Sequence, residues 1–522
     1  MKVTQVSIIP SEQAAAANRP ALTPELLAAT GARYSRNNEG LESILANIDF
    51  GNKKETMQRI CQVLEEHKAT IENSDKSTVS EISPVAIEEL IKIIDEEREA
   101  KLDKGVDAIF KMVDYGHASI ADMAPVALFI DDLSIFAAYY IWSISPTAGG
   151  QESSTRYIKI SQDGLIDPNL LGIPAEKQED WKANMSQAFS LYQASLKHWQ
   201  EIAEAQPEIT KIPKSLLDST DEKDKKKVDR MLRNYAFDRA RVYLPVAAST
   251  NMMMVQSARS WASLASHLQS TPWPELNALG AHIASEMALA TPRLLKHTQA
   301  SDSTRNVLRD EFESWQQLAK DFEYHVLPDD FEPGSKFSIS PKPALDIMIP
   351  DVDTCSIINA MKHRTNRYSL VGSAMARSFV AFSWDAIAMA EIRDFNRHRT
   401  GTKQCPLAPL GFYGAMDQLM GVSDSQRDSF GEREEFGYDI GKLARKMLID
   451  GDVSYIYWTL LGTQYIFEHS TTADKFIYEM ELRTGVGAHY RYAKHCHDML
   501  DEFYQQMPEL RGLVFEGSAE PE

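Results

Sequence analysis

Two short polar stretches carry the side chains best suited to binding chemistry. The segment QESSTRY, residues 151–157, combines a carboxylate, three aliphatic hydroxyl groups, an arginine and a phenol. The segment RHR, residues 397–399, places two guanidinium groups around one imidazole. Guanidinium forks bind phosphate and carbonyl edges in bidentate fashion. Each stretch therefore predicts a site for a planar or anionic ligand, and a solvated polar turn is the alternative in both cases.

A long apolar run precedes each polar stretch. Residues 124–144 lead into QESSTRY, and residues 369–395 lead into RHR. A polar cluster at the end of a buried element is a candidate site. Placing Ile144 opposite Arg397 aligns the two runs without a gap, which predicts an ancient tandem duplication.

Composition restricts the class of protein. The chain has 522 residues, 43% hydrophobic and 25% charged, and a formal net charge of −20, which disfavours nucleic acid and anionic membranes as main partners. Four cysteines form no CxxC pair, and apolar runs are too short for a membrane helix, so we expect a cytoplasmic protein. His495 and His497 are two residues apart in a predicted helix and point to different faces, so no metal site is predicted.

The chain divides into two predicted units. The first covers residues 1–300 and includes an insertion at about 158–234, with a charged run that indicates a solvated surface. A linker region rich in Asp, Ser, Pro and Gly is predicted at residues 301–343. The second unit covers residues 344–522 and has its own charged insertion at about 414–440.

The order of motifs resembles that of the flavin-dependent thymidylate synthase family. Residues 116–119 (GHAS) resemble its His-x-Ser box, and QESSTRY resembles the second half of its long motif RHRxxSxNExSxRY. Residues 240–245 (ARVYLP) match its ARxxLP box, and residues 257–260 (SARS) resemble its NAR box with Ser257 in place of Asn. These motifs all lie in the first unit.

The two units have lost opposite halves of the pattern. In the first unit, Ile144, Ser145 and Pro146 stand at the RHR positions, and the LR position falls near Leu268, with no arginine. In the second unit RHR is intact and Leu482–Arg483 resembles the LR box, but residues 404–409 (QCPLAP) replace the second half of the long motif. The resemblance thus implies one complete composite site per chain.

The resemblance also implies a fold and a set of site residues. The implied fold is α+β and mostly helical, with a central antiparallel sheet and helices in each of two diverged copies. The residues implied for the substrate are Glu152, Ser154, Arg156, Arg241 and Arg483, with Arg156 and Arg483 catalytic. The residues implied for the cofactor are Arg397, His398, Arg399, His117, Ser35, Ser257 and Arg259.

The activity that the resemblance implies is synthesis of dTMP from dUMP. FAD would be the bound cofactor, with NADPH and methylenetetrahydrofolate as co-substrates. The family's tetramer would become a homodimer of double-length chains. Two alternatives remain open: a descendant that binds flavin or nucleotide without turnover, and a flavoenzyme with altered specificity for another pyrimidine nucleotide.

Overall fold

The computed structural model defines the architecture over most of the chain. It describes residues 1–6, 11–16, 22–35, 41, 44, 58–64, 66, 84–114, 117–155, 160, 162–210, 212–324, 334–340, 354–419, 422–485 and 488–517. Within these ranges, no helix is both long enough and apolar enough to cross a membrane.

Helices account for most of the described chain. Those before the linker region are α1 (Glu12–Ala16), α2 (Pro24–Tyr34), α3 (Pro84–Asp114), α4 (Ser119–Asp122), α5 (Ile135–Ser143), α6 (Gln178–Ala205), α7 (Lys214–Leu217), α8 (Glu222–Ala240), α9 (Ala258–Leu268) and α10 (Pro274–Ala290). Those that follow are α11 (Asp302–Asp321), α12 (Thr354–Met361), α13 (Ser373–Ala376), α14 (Met389–Asn396), α15 (Asp424–Ile449), α16 (Ala473–Arg483) and α17 (Tyr490–Gln506). Short 3₁₀ helices include Arg241–Tyr243 and Val453–Trp458.

The strands form two antiparallel sheets. Their bounds are β1 (Lys2–Val6), β2 (Pro125–Ser134), β3 (Gly149–Glu152), β4 (Ser249–Ser257), β5 (Ser335–Ser340), β6 (Phe379–Ala388), β7 (Thr402–Gln404), β8 (Gly411–Phe412) and β9 (Thr463–Thr472). The first sheet has the order β1-β2-β4-β3, and the second has the order β5-β6-β9-β7, with β8 also paired to β9. The α+β, mostly helical fold expected from the sequence is confirmed.

The two sheets share more than their strand order. Each long second strand is interrupted by a register shift, between Ile130 and Leu133 in β2 and between Trp384 and Ile387 in β6. Helices α5 and α14 begin directly after these bulged strands. In each unit two helices follow the last long strand, and the second of them packs against the first strand. Helix α10 packs on β1, and α17 packs on β5.

The gap-free alignment of the two apolar runs is corrected by this register. Ser143 is the ninth residue counted from the start of α5, and Arg397 is the ninth counted from the start of α14. Ser143, not Ile144, therefore lies opposite Arg397. Gly149 and Thr402 pair with the third-from-last residues of β4 and β9, so the loop before β3 is one residue longer than the loop before β7. A run of apolar residues does not reveal where a loop absorbs one extra residue.

The two units meet through reciprocal backbone hydrogen bonds. Val246 N donates to Thr459 O at 3.1 Å, and Leu461 N donates to Leu244 O at 2.8 Å. Pro245 and Leu460 form an antiparallel bridge between these bonds. The same surface of each unit thus contacts the other, which is the geometry of an isologous interface. The two units are therefore joined through the segments that precede β4 and β9.

The predicted insertion and linker both contribute to the folded core. In α6, Trp181 is buried and its Nε1 donates to Tyr457 O at 2.9 Å. Helix α8, which contains part of the charged run, packs along α6. The predicted linker 301–343 contains α11, which packs on α15, and β5, which is an edge strand of the second sheet. The second sheet therefore begins before residue 344.

Candidate active site

Arg241 lies where the first unit meets the second. The chain enters the 3₁₀ helix Arg241–Tyr243 directly after α8, which buries the Arg241 side chain to 2% exposure. Its guanidinium bonds Asp394 Oδ2 at 2.6 Å and lies 3.4 Å from Ala390 O, both on α14. A buried guanidinium requires such a partner. This arginine therefore connects the first unit to the helix that leads into RHR.

Glu152 makes a second ion pair with the same helix. The carboxylate, at the end of β3, contacts the guanidinium of Arg393. Tyr139 on α5 and Cys405 after β7 occupy the corresponding positions on the opposite side of the interface, and burial raises the pKa of both groups. Charged chemistry is therefore concentrated on one side of the interface, and a neutral pair stands on the other.

Arg399 reaches back across the interface to the loop before QESSTRY. It donates to Ala148 O at 2.6 Å and to Gly150 O at 2.8 Å. Its guanidinium also lies 4.0 Å from the ring centroid of Trp142, a cation–π contact. A side chain on Gly150 would place its Cβ 2.0 Å from Met253 O, so glycine permits this close approach of β3 to β4.

His398 is held by Arg483 from the end of α16. Arg483 Nε donates to His398 Nε2 at 2.9 Å. The accepting nitrogen carries no proton, so the neutral ring carries its proton on Nδ1. Burial and the neighbouring Arg483 charge hold the pKa of His398 well below its usual value. The ring is therefore neutral at physiological pH.

The cluster around α14 has an excess of positive charge. Arg397 is 42% exposed, and its guanidinium lies 4.0 Å from a carboxylate oxygen of Asp394. The cluster contains the guanidinium groups of Arg241, Arg393, Arg397, Arg399 and Arg483 and the carboxylates of Glu152 and Asp394. The Nε atoms of Arg241, Arg393 and Arg399 are buried and lack a hydrogen-bond partner within the described structure. These charges and unused donors fit an anionic or carbonyl-rich ligand such as a nucleotide or a flavin.

Ser257 and Arg259 belong to a different group of contacts in the first unit. Ser257 caps α9 and donates its hydroxyl to Asp122 Oδ1 at 3.2 Å. Arg259 pairs with Asp122 Oδ2 at 2.9 Å, and its side chain is 51% exposed. Asp122 and Arg259 line a cavity of about 360 Å³ together with Gln256 and His267. Arg259 thus lines this cavity, and Ser257 contacts it through Asp122.

The structure gives fewer contacts for the remaining predicted site residues. His117 is exposed just before α4, and Ser35 follows α2, where its hydroxyl donates to Ala32 O at 2.9 Å. Ser154 is half-buried two residues after β3. Arg156 lies outside the described residues.

The sequence reasoning missed Arg393 and Asp394. Both were counted as part of an apolar run, although each forms an ion pair across the interface. The available signal was the polar pair Arg393–Asp394 close before RHR, at helical spacing from Arg397.

The fold and the cluster define an α+β protein with a cationic site shared by two sheet-containing units. A family model described as thymidylate synthase complementing protein matches residues 29–293, slightly more than half of the chain. The chain belongs to this thymidylate synthase family. The matched range contains Glu152 and Arg241, whereas RHR and Arg483 lie beyond it. A comparison with curated proteins finds no match.

Proposed function

We propose that the protein is a flavin-dependent thymidylate synthase with one composite site per chain. It converts dUMP to dTMP with methylenetetrahydrofolate as carbon donor and NADPH as reductant. The observation that carries this proposal is the cluster of five guanidinium groups against two carboxylates, built by both units around α14. Membership of the thymidylate synthase family supports the reaction class.

The side chains of the first unit are proposed to bind the nucleotide. Arg156 and Arg241 hold the phosphate and uracil oxygens together with Arg483, and Glu152 and Ser154 orient the ribose and base. Guanidinium groups aimed at the uracil carbonyls withdraw electron density from the ring and stabilise negative charge as C5 reacts. Arg483 would contact the nucleotide from the second unit, where it bonds His398.

The RHR segment is proposed to hold the flavin side of the site. FAD, when bound, would supply the hydride, taken from NADPH, that reduces the methylene carbon transferred to C5 to a methyl group. Arg397 and Arg399 stabilise negative charge on the cofactor, and neutral His398 offers only its Nδ1 proton as a donor. His117, Ser35, Ser257 and Arg259 contribute further contacts to flavin or folate. The protein's part is orientation, charge stabilisation and exclusion of water.

One observation favours a second candidate, a nucleotide- or flavin-binding protein without turnover. Glu152 and Arg241 already form ion pairs with Arg393 and Asp394. A nucleotide must use the remaining donor positions or displace these partners. If displacing Arg393 and Asp394 costs more free energy than the new contacts to the nucleotide release, the ion pairs stay in place. The site then holds a ligand without catalysing the reaction.

Absorbance and tritium release distinguish the two candidates. The purified full-length chain should show a flavin band that bleaches anaerobically with NADPH, and it should release tritium from dUMP labelled at C5 when the folate donor is present. A flavin band that bleaches without tritium release would support the binding protein instead. Absence of both flavin binding and tritium release after reconstitution with FAD would contradict both candidates.

A further inference from the structure

A second group of titratable side chains lies behind His398 and Arg483. Glu479 on α16 and His469 on β9 are each 0% exposed. Lys403 on β7 and Tyr492 and Cys496 on α17 complete the group. The function proposed above uses none of these five residues. Buried polar groups of this kind require an explanation, because burying one without a partner is unfavourable.

The hydrogen bonds determine where the protons can be. His469 Nε2 lies 2.9 Å from the carbonyl oxygen of Thr400, which can only accept, so Nε2 carries a proton. The other ring nitrogen, Nδ1, lies 3.5 Å from Glu479 Oε2. Glu479 Oε1 accepts from the Tyr492 hydroxyl at 2.8 Å. A neutral ring and an ionised carboxylate would therefore direct two lone pairs at each other without water between them.

The same group holds the backbone of the RHR segment. His469 donates to the Thr400 carbonyl, and Lys403 Nζ donates to the carbonyls of Thr400, at 3.2 Å, and of His398. Glu479 exerts an electrostatic attraction on Lys403. The charge of Glu479 therefore affects both side chains that fix residues 398–400.

The group is confined to the unit that keeps RHR. Leu264 is the seventh residue of α9, as Glu479 is the seventh of α16. Met254 precedes the end of β4 by three residues, as His469 precedes the end of β9. An apolar pair thus occupies the first unit where a carboxylate and an imidazole occupy the second, so the fold does not itself require the polar pair.

We propose that Glu479 and His469 share one proton and that this proton positions the RHR segment for its ligand. With the proton present, Glu479 is neutral, and Lys403 and His469 remain on the backbone carbonyls. When the proton is lost, the carboxylate attracts Lys403 and repels His469 Nδ1, which releases residues 398–400. Glu479 is a positioning residue in this scheme. The ligand of the segment rests on the proposed function, whereas the shared proton does not.

The electrostatics of the group place the proton on Glu479 near neutral pH. Burial raises the pKa of Glu479 to about 7, against the lowering effects of Lys403, Tyr492 and Arg483. Burial and the Lys403 charge lower the pKa of His469 to about 3. Two further groups face the pair: burial raises the pKa of Cys496 and lowers that of His398, and both stay neutral.

The sign of the pH effect follows from the raised pKa. The folded protein holds the Glu479 proton more tightly than the unfolded chain, where the pKa is near 4.5. The resulting stabilisation is fully present below about pH 4.5 and is lost as the pH rises to about 7. Binding of a ligand that needs the positioned segment should weaken further above that pH, by about tenfold per pH unit.

The Glu479→Gln substitution tests the proposal in the full-length chain. The glutamine amide can donate to His469 Nδ1 and accept from Tyr492, so it imitates the protonated form at every pH. Thermal unfolding is measured without ligand between pH 5 and 8.5. As the pH rises towards 7, the Tm of the wild type should fall relative to the Tm of the variant. The exposed Glu201→Gln is the matched control, and its curve should parallel the wild type. Parallel curves for wild type and Glu479→Gln would overturn the proposal.

Flavin affinity, measured by fluorescence quenching, provides the second readout. Wild-type affinity should weaken between pH 7 and 8.5, and Glu479→Gln should remove this dependence. Divergent Tm curves without flavin binding would support the shared proton and contradict the proposed function. If Glu479→Gln does not fold, Tyr492→Phe takes its place. Loss of the hydroxyl removes a contact that lowers the Glu479 pKa, so the Tm transition should move to higher pH, and an unmoved transition would overturn the proposal.

Discussion

Arg241 combines a structural and a proposed functional role in one side chain. Its ion pair with Asp394 is almost fully buried, with 2% and 8% of the two side chains exposed. Desolvation opposes such pairs, so a buried pair is weak evidence of net stabilisation, but removal of one partner is costly. The structural role and the proposed binding role can be separated by replacing both Arg241 and Asp394 with apolar residues of similar size. This change leaves no unpaired buried charge, and it does not restore anion binding.

We predict that Arg241→Met lowers the free energy of unfolding by about 3–5 kcal/mol, because the buried Asp394 loses its 2.6 Å ion pair. The double variant Arg241→Met with Asp394→Leu should recover most of this stability but form no dTMP. Chemical denaturation and the tritium-release assay measure the two properties. Recovery of activity in the double variant would contradict a role for Arg241 in nucleotide binding.

Arg397 offers the complementary case, a charge with little structural role. Its side chain is 42% exposed and its carboxylate contact is 4.0 Å long. We predict that Arg397→Ala abolishes dTMP formation while the Tm changes little, since exposed long-range pairs contribute roughly 0–1 kcal/mol. Arg156→Ala should also abolish activity.

Ser145→Ala and Pro409→Ala serve as controls for these two variants. Both positions lie in the halves of the pattern that have diverged. Turnover should be largely retained in both, by the same tritium-release assay. Equal loss of activity at the diverged positions would rule out a single composite site.

At the scale of elements, α16 carries the residues that reach the site from the second unit. Arg364 and Glu481 form a bidentate pair with two contacts of 2.7 Å, and both side chains are buried. Glu481 Oε1 also accepts from Phe515 N at 2.9 Å. Two segments outside α16 are thereby attached to it two residues before Arg483, so this pair helps to orient the end of the helix.

We predict that Glu481→Ala lowers the free energy of unfolding by about 3–5 kcal/mol, because Arg364 loses its buried counter-charge. Glu201→Ala, which removes an exposed pair with Lys197 at 3.8 Å, should change it by less than about 1 kcal/mol. Denaturation in urea measures both changes. A cost for Glu481→Ala no larger than that of the control would contradict the assigned anchoring role.

At the scale of the whole molecule, the two units are coupled by reciprocal contacts. The backbone bonds between residues 244–246 and 459–461 lie among fully buried side chains, including Leu244, Leu460 and Leu461. The ion pairs of Glu152 and Arg241 cross the same interface. Two units that are joined by buried backbone hydrogen bonds and buried ion pairs are not expected to unfold independently.

We predict one cooperative unfolding transition for the chain, with circular dichroism and tryptophan fluorescence giving coincident midpoints. Two separated transitions would show that the units are independent domains. The chain is further expected to form a homodimer, and sedimentation equilibrium should then give twice the chain mass of 58.7 kDa. A monomer with full activity would show that one chain is sufficient for the site.

The sequence by itself was sufficient to predict the family and the α+β fold class. The boxes at residues 151–157, 240–245 and 397–399 carry that information because each places specific side chains at fixed spacing. The pairing of the two apolar runs was also predicted, but with an error of one residue. Periodic apolar character specifies burial, but it does not show that the loop before β3 is one residue longer than the loop before β7.

Only the tertiary structure decided which side chains meet. Arg241 and Asp394 are 153 residues apart in the chain. Local spacing in the sequence cannot relate two groups at that separation. The pairing of Glu479 with His469 likewise depends on β9 and α16 packing beside the RHR segment. Burial raises the pKa of Glu479 and lowers that of His469, and burial is a property of the packed molecule, since solvent is excluded only when the elements pack together.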